Sequence, residues 1–107
     1  MKNITILNTS VLTNYGTYSY EPISLAKAKE LINDNEIISA IGHSATADIL
    51  SDLLEIEVKT NRIEFLQEVD EIALIFKLKS RIPEGKVLSR IEIDETGYDF
   101  GILRRVK

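Results

Sequence analysis

Glu71-Ile72-Ala73-Leu74-Ile75-Phe76-Lys77-Leu78-Lys79 is the stretch on which the fold turns. Apolar residues run unbroken from Ile72 to Phe76, a pattern that suits a strand covered on both faces rather than one with a wet side. The stretch reads as the longest strand, central in its sheet. Upstream, Lys2-Asn3-Ile4-Thr5-Ile6-Leu7-Asn8 reads as a first strand, with Ile4 and Ile6 on one face and β-branched Thr5 on the other. Downstream, Tyr98-Asp99-Phe100-Gly101-Ile102-Leu103 reads as the last.

Helical spacing fills part of the interval. Ser24 stands where an N-cap is expected, ahead of a stripe made by Leu25, Ala28, Leu31 and Ile32, and Asn33-Asp34-Asn35 closes that helix. A second helix is predicted from about His43–Ser44 to about Glu55, with Ile49, Leu50, Leu53 and Leu54 on its apolar face. Gly42 before it is read as the hinge of a sharp turn. Ile56-Glu57-Val58-Lys59 and Arg62-Ile63-Glu64-Phe65 alternate with a period of two and are read as strands around a Thr60-Asn61 bend. Thr13 to Tyr20 is read as a tyrosine-rich loop, either a cover for the core or a base-stacking platform. Ser80 to Lys86 is read as a loop, because Pro83 interrupts a ladder and Gly85 permits a turn. Ser89 to Thr96 fits a short helix ended by Gly97 or a strand through Ile91 and Ile93. Strands alternating with helices, then a hairpin, predict an α/β fold: a single small domain over 1–107 with a mixed β-sheet flanked by helices.

Composition narrows the chemistry. A chain of 107 residues, 44% hydrophobic and 28% charged, is long enough for one core without covalent staples. It has no Cys, so disulfides, thiolate metal sites and cysteine nucleophiles are all excluded. No apolar run approaches the ~18 residues of a membrane span, and the opening residues do not resemble a signal peptide. A cytoplasmic protein without membrane contact is expected. Thirteen basic against seventeen acidic residues give a net charge of −4, so no global field draws in long DNA or RNA. A small anion needs only a local cradle of donors. The single His cannot build a multi-histidine metal site, and neither metal nor cofactor is expected. Neither a glycine-rich phosphate loop nor a nucleophile elbow is present.

Three segments carry candidate chemistry. In Ile41-Gly42-His43-Ser44-Ala45-Thr46, a helix start supplies free amides and the positive end of the helix dipole, which together favour an anion. Ser44 and Thr46 add hydroxyls, and His43 is the side chain whose ordinary titration lies near neutrality, as proton transfer requires. The plainer reading is that His43 or Ser44 merely caps the helix. In Arg81-Ile82-Pro83-Glu84-Gly85-Lys86, Arg81 suits phosphate through its planar fork, Lys86 acts as a point charge and Glu84 accepts a hydrogen bond. Taken singly, this loop reads equally as a solvated charged turn. Asn61-Arg62 is a third candidate, or else a polar bend with an exposed cation.

These segments, in this order, resemble the viral type III anti-CRISPR ring nuclease family and its relatives on bacterial chromosomes and mobile elements. The most specific part is the Ile-Gly-His-x-x-Thr box at 41–46, with the Arg-x-x-Glu-Gly-Lys loop at 81–86 about forty residues later. The resemblance implies a homodimer that binds cyclic tetra-adenylate, the second messenger of type III CRISPR defence, and cleaves it without a metal to linear di-adenylate. It places the general acid on His43, the transition-state arginine on Arg81 and the loop glutamate on Glu84. It places binding positions on Asn8, Ser10, Thr46, Asn61 and Arg62, and the reading of the residues themselves adds Gly42, Ser44 and Lys86.

Elementary chemistry is compatible with that implication. In an RNA ring the 2′-hydroxyl beside each phosphate is the nucleophile, and in-line attack gives a 2′,3′-cyclic phosphate while expelling a 5′-oxygen. The protein has only to hold geometry, neutralise charge and protonate the leaving group. Two other readings stay open: a module that sequesters a cyclic oligonucleotide without turnover, and a protein-interaction factor of a mobile element.

Overall fold

The computed structural model describes residues 3–79 and 89–107. Its elements are β1 (Asn3–Leu7), β2 (Tyr18–Ile23), α1 (Leu25–Asn33), β3 (Glu36–Ser39), α2 (Ser44–Leu54), β4 (Ile72–Leu78), α3 (Arg90–Thr96) and β5 (Tyr98–Arg105). The strands form one mixed sheet in the order β2-β5-β4-β1-β3. β1 runs parallel to β3 and β4, and β5 runs antiparallel to β4 and β2. The α/β fold with a mixed sheet and helices is therefore as expected.

β4 holds the middle of the sheet, as its apolar run predicts. Its alternation divides the core in two. Leu74 and Phe76 join Ile4, Ile6 and Phe100, and this face receives Ala28 and Ile32 of α1, Leu50 and Leu53 of α2 and Ile93 of α3. Ala73 and Ile75 point the other way with Leu7 and Leu103, against Tyr18, Ala40 and Phe65. All three helices thus share one face, while Tyr18 of β2 and Ala40 and Phe65 from loops pack on the other. β5, at eight residues, is longer than the seven of β4, because its far end continues along β2.

Local chemistry fixes the helix starts. The Ser24 hydroxyl accepts from Lys27 N at 3.1 Å and opens α1 where expected. For 89–96 the helix wins over the strand. Ser89 Oγ accepts from Glu92 N, and the Glu92 carboxylate accepts from Ser89 N, a reciprocal capping box. Ile91 and Ile93 consequently part company, one 70% exposed and the other 2%.

Two expectations fail. Residues 56–65 alternate yet form no strand, because their backbone groups find partners outside any ladder. Val58 N donates to Ser51 Oγ, which in turn donates to Val58 O, at 2.9 and 3.1 Å. Ser39 Oγ donates to Lys59 O at 2.6 Å, and Asn61 N donates to Ile41 O at 2.8 Å. A half-buried extended segment shows a period of two whether or not a neighbour strand exists. The second failure lies in the tyrosine-rich stretch, whose end, from Tyr18, is the edge strand β2 rather than loop. Pro22 is tolerated there because an edge strand leaves amides unpaired. The short edge strand β3 was not anticipated at all. Among the described residues, no helix is long and apolar enough to cross a membrane.

Candidate functional site

β1, β3 and β4 are mutually parallel, so their carboxyl ends open at one edge of the sheet, where open α/β sheets gather their ligand sites. Asn8 follows β1, the link Ala40–His43 follows β3, and Lys77 and Leu78 close β4. Ala40 N donates to Ile6 O at 3.0 Å, which ties the β3 exit to β1.

His43 occupies the N-cap position of α2 in an extended conformation, and Ala47 N donates to its carbonyl at 3.0 Å. Its side chain makes no capping hydrogen bond and is exposed. His43 is thus the N-cap, as the plainer reading has it, but it caps through its backbone carbonyl and not through its imidazole. α1 and α3 both begin at a serine whose hydroxyl takes an amide of the first turn. α2 begins without that device, so its leading amides, beside the exposed Ser44 and half-buried Thr46, are open to an outside acceptor. The reading of Gly42 is corrected. It does not adopt a left-handed conformation, and an added Cβ would stand an ordinary 3.7 Å from Arg62 Cγ. The turn needs no glycine there.

Asn61 and Arg62 arrive from the irregular segment and lock onto the same link. Asn61 Nδ2 donates to Ser39 O at 2.7 Å. Arg62 Nε donates to Gly42 O at 3.0 Å, which holds an exposed guanidinium against the residue preceding His43. A cleft of ≈ 440 Å³ adjoins them at the outer edge of β3, lined by Ile38, Ser39, Lys59 and Asn61 among others. The described residues thus bring Gly42, His43, Ser44, Thr46, Asn61 and Arg62 together. Asn8 and Ser10 lie on the neighbouring β1 exit. Arg81, Glu84 and Lys86 lie outside the described residues.

Sequence reasoning missed Lys77. Its ammonium donates to Ser10 Oγ at 2.8 Å and lies 5.8 Å from the centroid of the Tyr20 ring. The available signal was a lone cation inside an otherwise apolar strand. Electrostatically this end is distinct from the rest of an acidic molecule. Between described residues, Lys27–Glu30 pairs at 3.5 Å within α1 and Lys29–Glu55 at 3.0 Å from α1 to the end of α2. Arg62 and Lys77 belong to neither. Among the described residues no group of His, Asp and Glu is arranged to hold a metal ion.

The fold is that of B116 of Sulfolobus turreted icosahedral virus, with a TM-score of 0.81 at 23% identity, covering 96% of this chain and 99% of that one. Sequence likeness is broader. Protein 26 of Sulfolobus islandicus filamentous virus is 37% identical over 86 residues, covering 78% of this chain and 72% of that protein. The ORF117 protein of Acidianus two-tailed virus is 38% identical over 93 residues, covering 84% and 80%. YddF of Bacillus subtilis is 34% identical over 105 residues, covering 96% and 97%. The sequence profile described as STIV B116-like matches residues 4–100, from β1 to the start of β5. The chain belongs to the STIV B116-like family.

Proposed function

We propose that this protein is a ring nuclease that cleaves cyclic tetra-adenylate to linear di-adenylate and so switches off type III CRISPR signalling. The observation that carries the proposal is the uncapped start of α2. An exposed imidazole at the N-cap, free of capping duty, belongs to the residue after Gly42, whose carbonyl accepts from the Arg62 guanidinium at 3.0 Å. Open amides and a cation suit a phosphate, and the imidazole suits protonation of the oxygen that leaves it. The viral relatives fit a factor that acts against a host signal.

In this reading the substrate's own 2′-hydroxyl attacks the adjacent phosphate, the bond to the 5′-oxygen breaks, and His43 delivers a proton to that oxygen. Arg81 neutralises the transition-state charge, a role taken from the resemblance, and Glu84 orients the hydroxyl or His43. No protein nucleophile is called for, so a chain without Cys and with one His is sufficient. A ring of four identical nucleotides offers two equivalent bonds to a two-fold homodimer. Exposed apolar residues on loops, Leu12 at 65% and Leu66 at 56%, give such a dimer a surface to cover.

The deciding experiment is incubation of the protein with cyclic tetra-adenylate in EDTA, with products separated by chromatography. Di-adenylate is expected. An intact ring that nevertheless binds would replace the enzyme by a sequestering module. Arg62→Ala is expected to weaken binding of the ring about tenfold, since an exposed charge-assisted bond is worth on the order of 1.5 kcal/mol. Isothermal titration checks it, and an unchanged affinity would remove Arg62 from the site.

A further inference from the structure

Lys77 has a peculiar set of neighbours. In the β4–β5 ladder it stands directly across from Asp99, the position from which opposite charges ordinarily pair. The ammonium instead turns to the β1 side, where Ser10 Oγ accepts from it at 2.8 Å. The Tyr20 ring backs it at 5.8 Å from the ring centroid, within the range of a cation–π contact. Tyr20 reaches this place because residue 101 is glycine. A Cβ at Gly101 would lie 2.5 Å from Tyr20 Cε1 and 2.9 Å from Cζ, so the ring rests directly on the β5 backbone. Lys77 and Tyr20 are both exposed. The result is a cation held in place by a hydroxyl and an aromatic face, with no carboxylate neutralising it among the described residues.

We infer that Lys77 is an anion-binding residue for a phosphate of the bound nucleotide, a contact separate from the His43 phosphate, and that Tyr20 on Gly101 is its positioning residue. The nucleotide part of this inference rests on the proposed ring-binding function. The built geometry itself calls for an anion: the Ser10 hydroxyl, having accepted from Lys77, still has its own proton to donate to a phosphate oxygen. Lys77 and Asp99 form no ion pair, so none has to break when the ligand arrives.

The test uses the whole protein carrying His43→Ala, so that the ring is not consumed, and measures affinity for cyclic tetra-adenylate across a salt series. Lys77→Gln should bind about tenfold more weakly at low salt, and its salt slope should fall by about 0.7, the value of one phosphate contact on a single strand. Lys77→Arg should restore both, which a merely structural lysine would not require. Tyr20→Leu should cost about threefold and Tyr20→Phe almost nothing, since the ring rather than its hydroxyl supports the cation. Gly101→Ala should behave as Tyr20→Leu does; should it misfold, the Tyr20 pair decides the point. Equal affinity and slope for Lys77 and Lys77→Gln would overturn the inference while leaving ring binding intact. If the parent protein does not bind the ring, the functional proposal fails instead. Inorganic pyrophosphate then becomes the probe: a Ser10 amide shift seen with Lys77 and lost in Lys77→Gln upholds the anion site, and no shift in either overturns it.

Discussion

His43→Ala is expected to lower single-turnover cleavage of cyclic tetra-adenylate by about 100-fold while leaving ring affinity within a factor of about three. Supplying a proton to a poor leaving group contributes typically 10²–10⁴-fold, and the lower end suits a reaction whose nucleophile already sits in the substrate. Affinity should survive because the imidazole makes no bond that holds the site together. α2 is anchored through Ala47 N to the backbone carbonyl of His43, and that carbonyl is kept in the alanine variant. The Arg62 bond to Gly42 O is likewise to backbone. Rapid-quench kinetics and titration calorimetry on the same preparation separate the two effects. Loss of binding in step with cleavage would make His43 a binding residue, and wild-type cleavage would remove the acid from the mechanism altogether.

The placement of this site explains how an acidic chain can handle an anion. The net charge of −4 works against long-range attraction, but binding at short range depends on what faces the phosphate. The two ion pairs of the described residues draw their cations to α1. At the opening end of the parallel strands, Arg62 and Lys77 are held by a carbonyl and a hydroxyl instead, dipoles that orient a cation without cancelling it. A site of this kind should lose affinity steeply with salt despite the acidic whole.

The sequence discloses those parts of the molecule whose burial is one-sided or complete. β4 is legible because both its faces are covered and nearly all its side chains are apolar, and α1 is legible because Ser24 and the stripe through Ala28 and Ile32 agree. The start of α2, expected at about His43–Ser44, falls there. Where hydroxyls and carbonyls replace a ladder, as along 56–65, the apolar period persists while the hydrogen bonds that define a strand do not. β3 is four residues of Glu-Ile-Ile-Ser at an edge, too short for its period to stand out from the turn before it. Lys77 is hidden for a different reason. Its role depends on Tyr20 and Ser10, 57 and 67 residues away in sequence, and on Gly101 letting an aromatic ring come close; no local pattern joins these four positions.

The largest stability effect is expected from Phe76→Ala. Phe76 is 1% exposed and lies at the centre of three mutually packed rings, 5.2 Å from Phe100 and 5.9 Å from Tyr98, which are themselves 5.7 Å apart. Truncation removes the ring from contact with both and opens a cavity beneath the helices. Buried Phe→Ala changes cost about 3–5 kcal/mol, and rigid strands on each side of the residue prevent collapse into the void. A domain of this size has only about 5–15 kcal/mol in total, so the variant should unfold at a much lower urea midpoint with an unchanged slope. Phe76→Leu, which keeps most of the volume, should recover more than half of the loss. The aromatic contribution is separable from the cavity: a double-mutant cycle with Phe100→Leu should show coupling of about 0.5–1.5 kcal/mol. A loss below about 1 kcal/mol for Phe76→Ala would mean that the sheet does not depend on this cluster, and that the central position of β4 rests on its ladders alone.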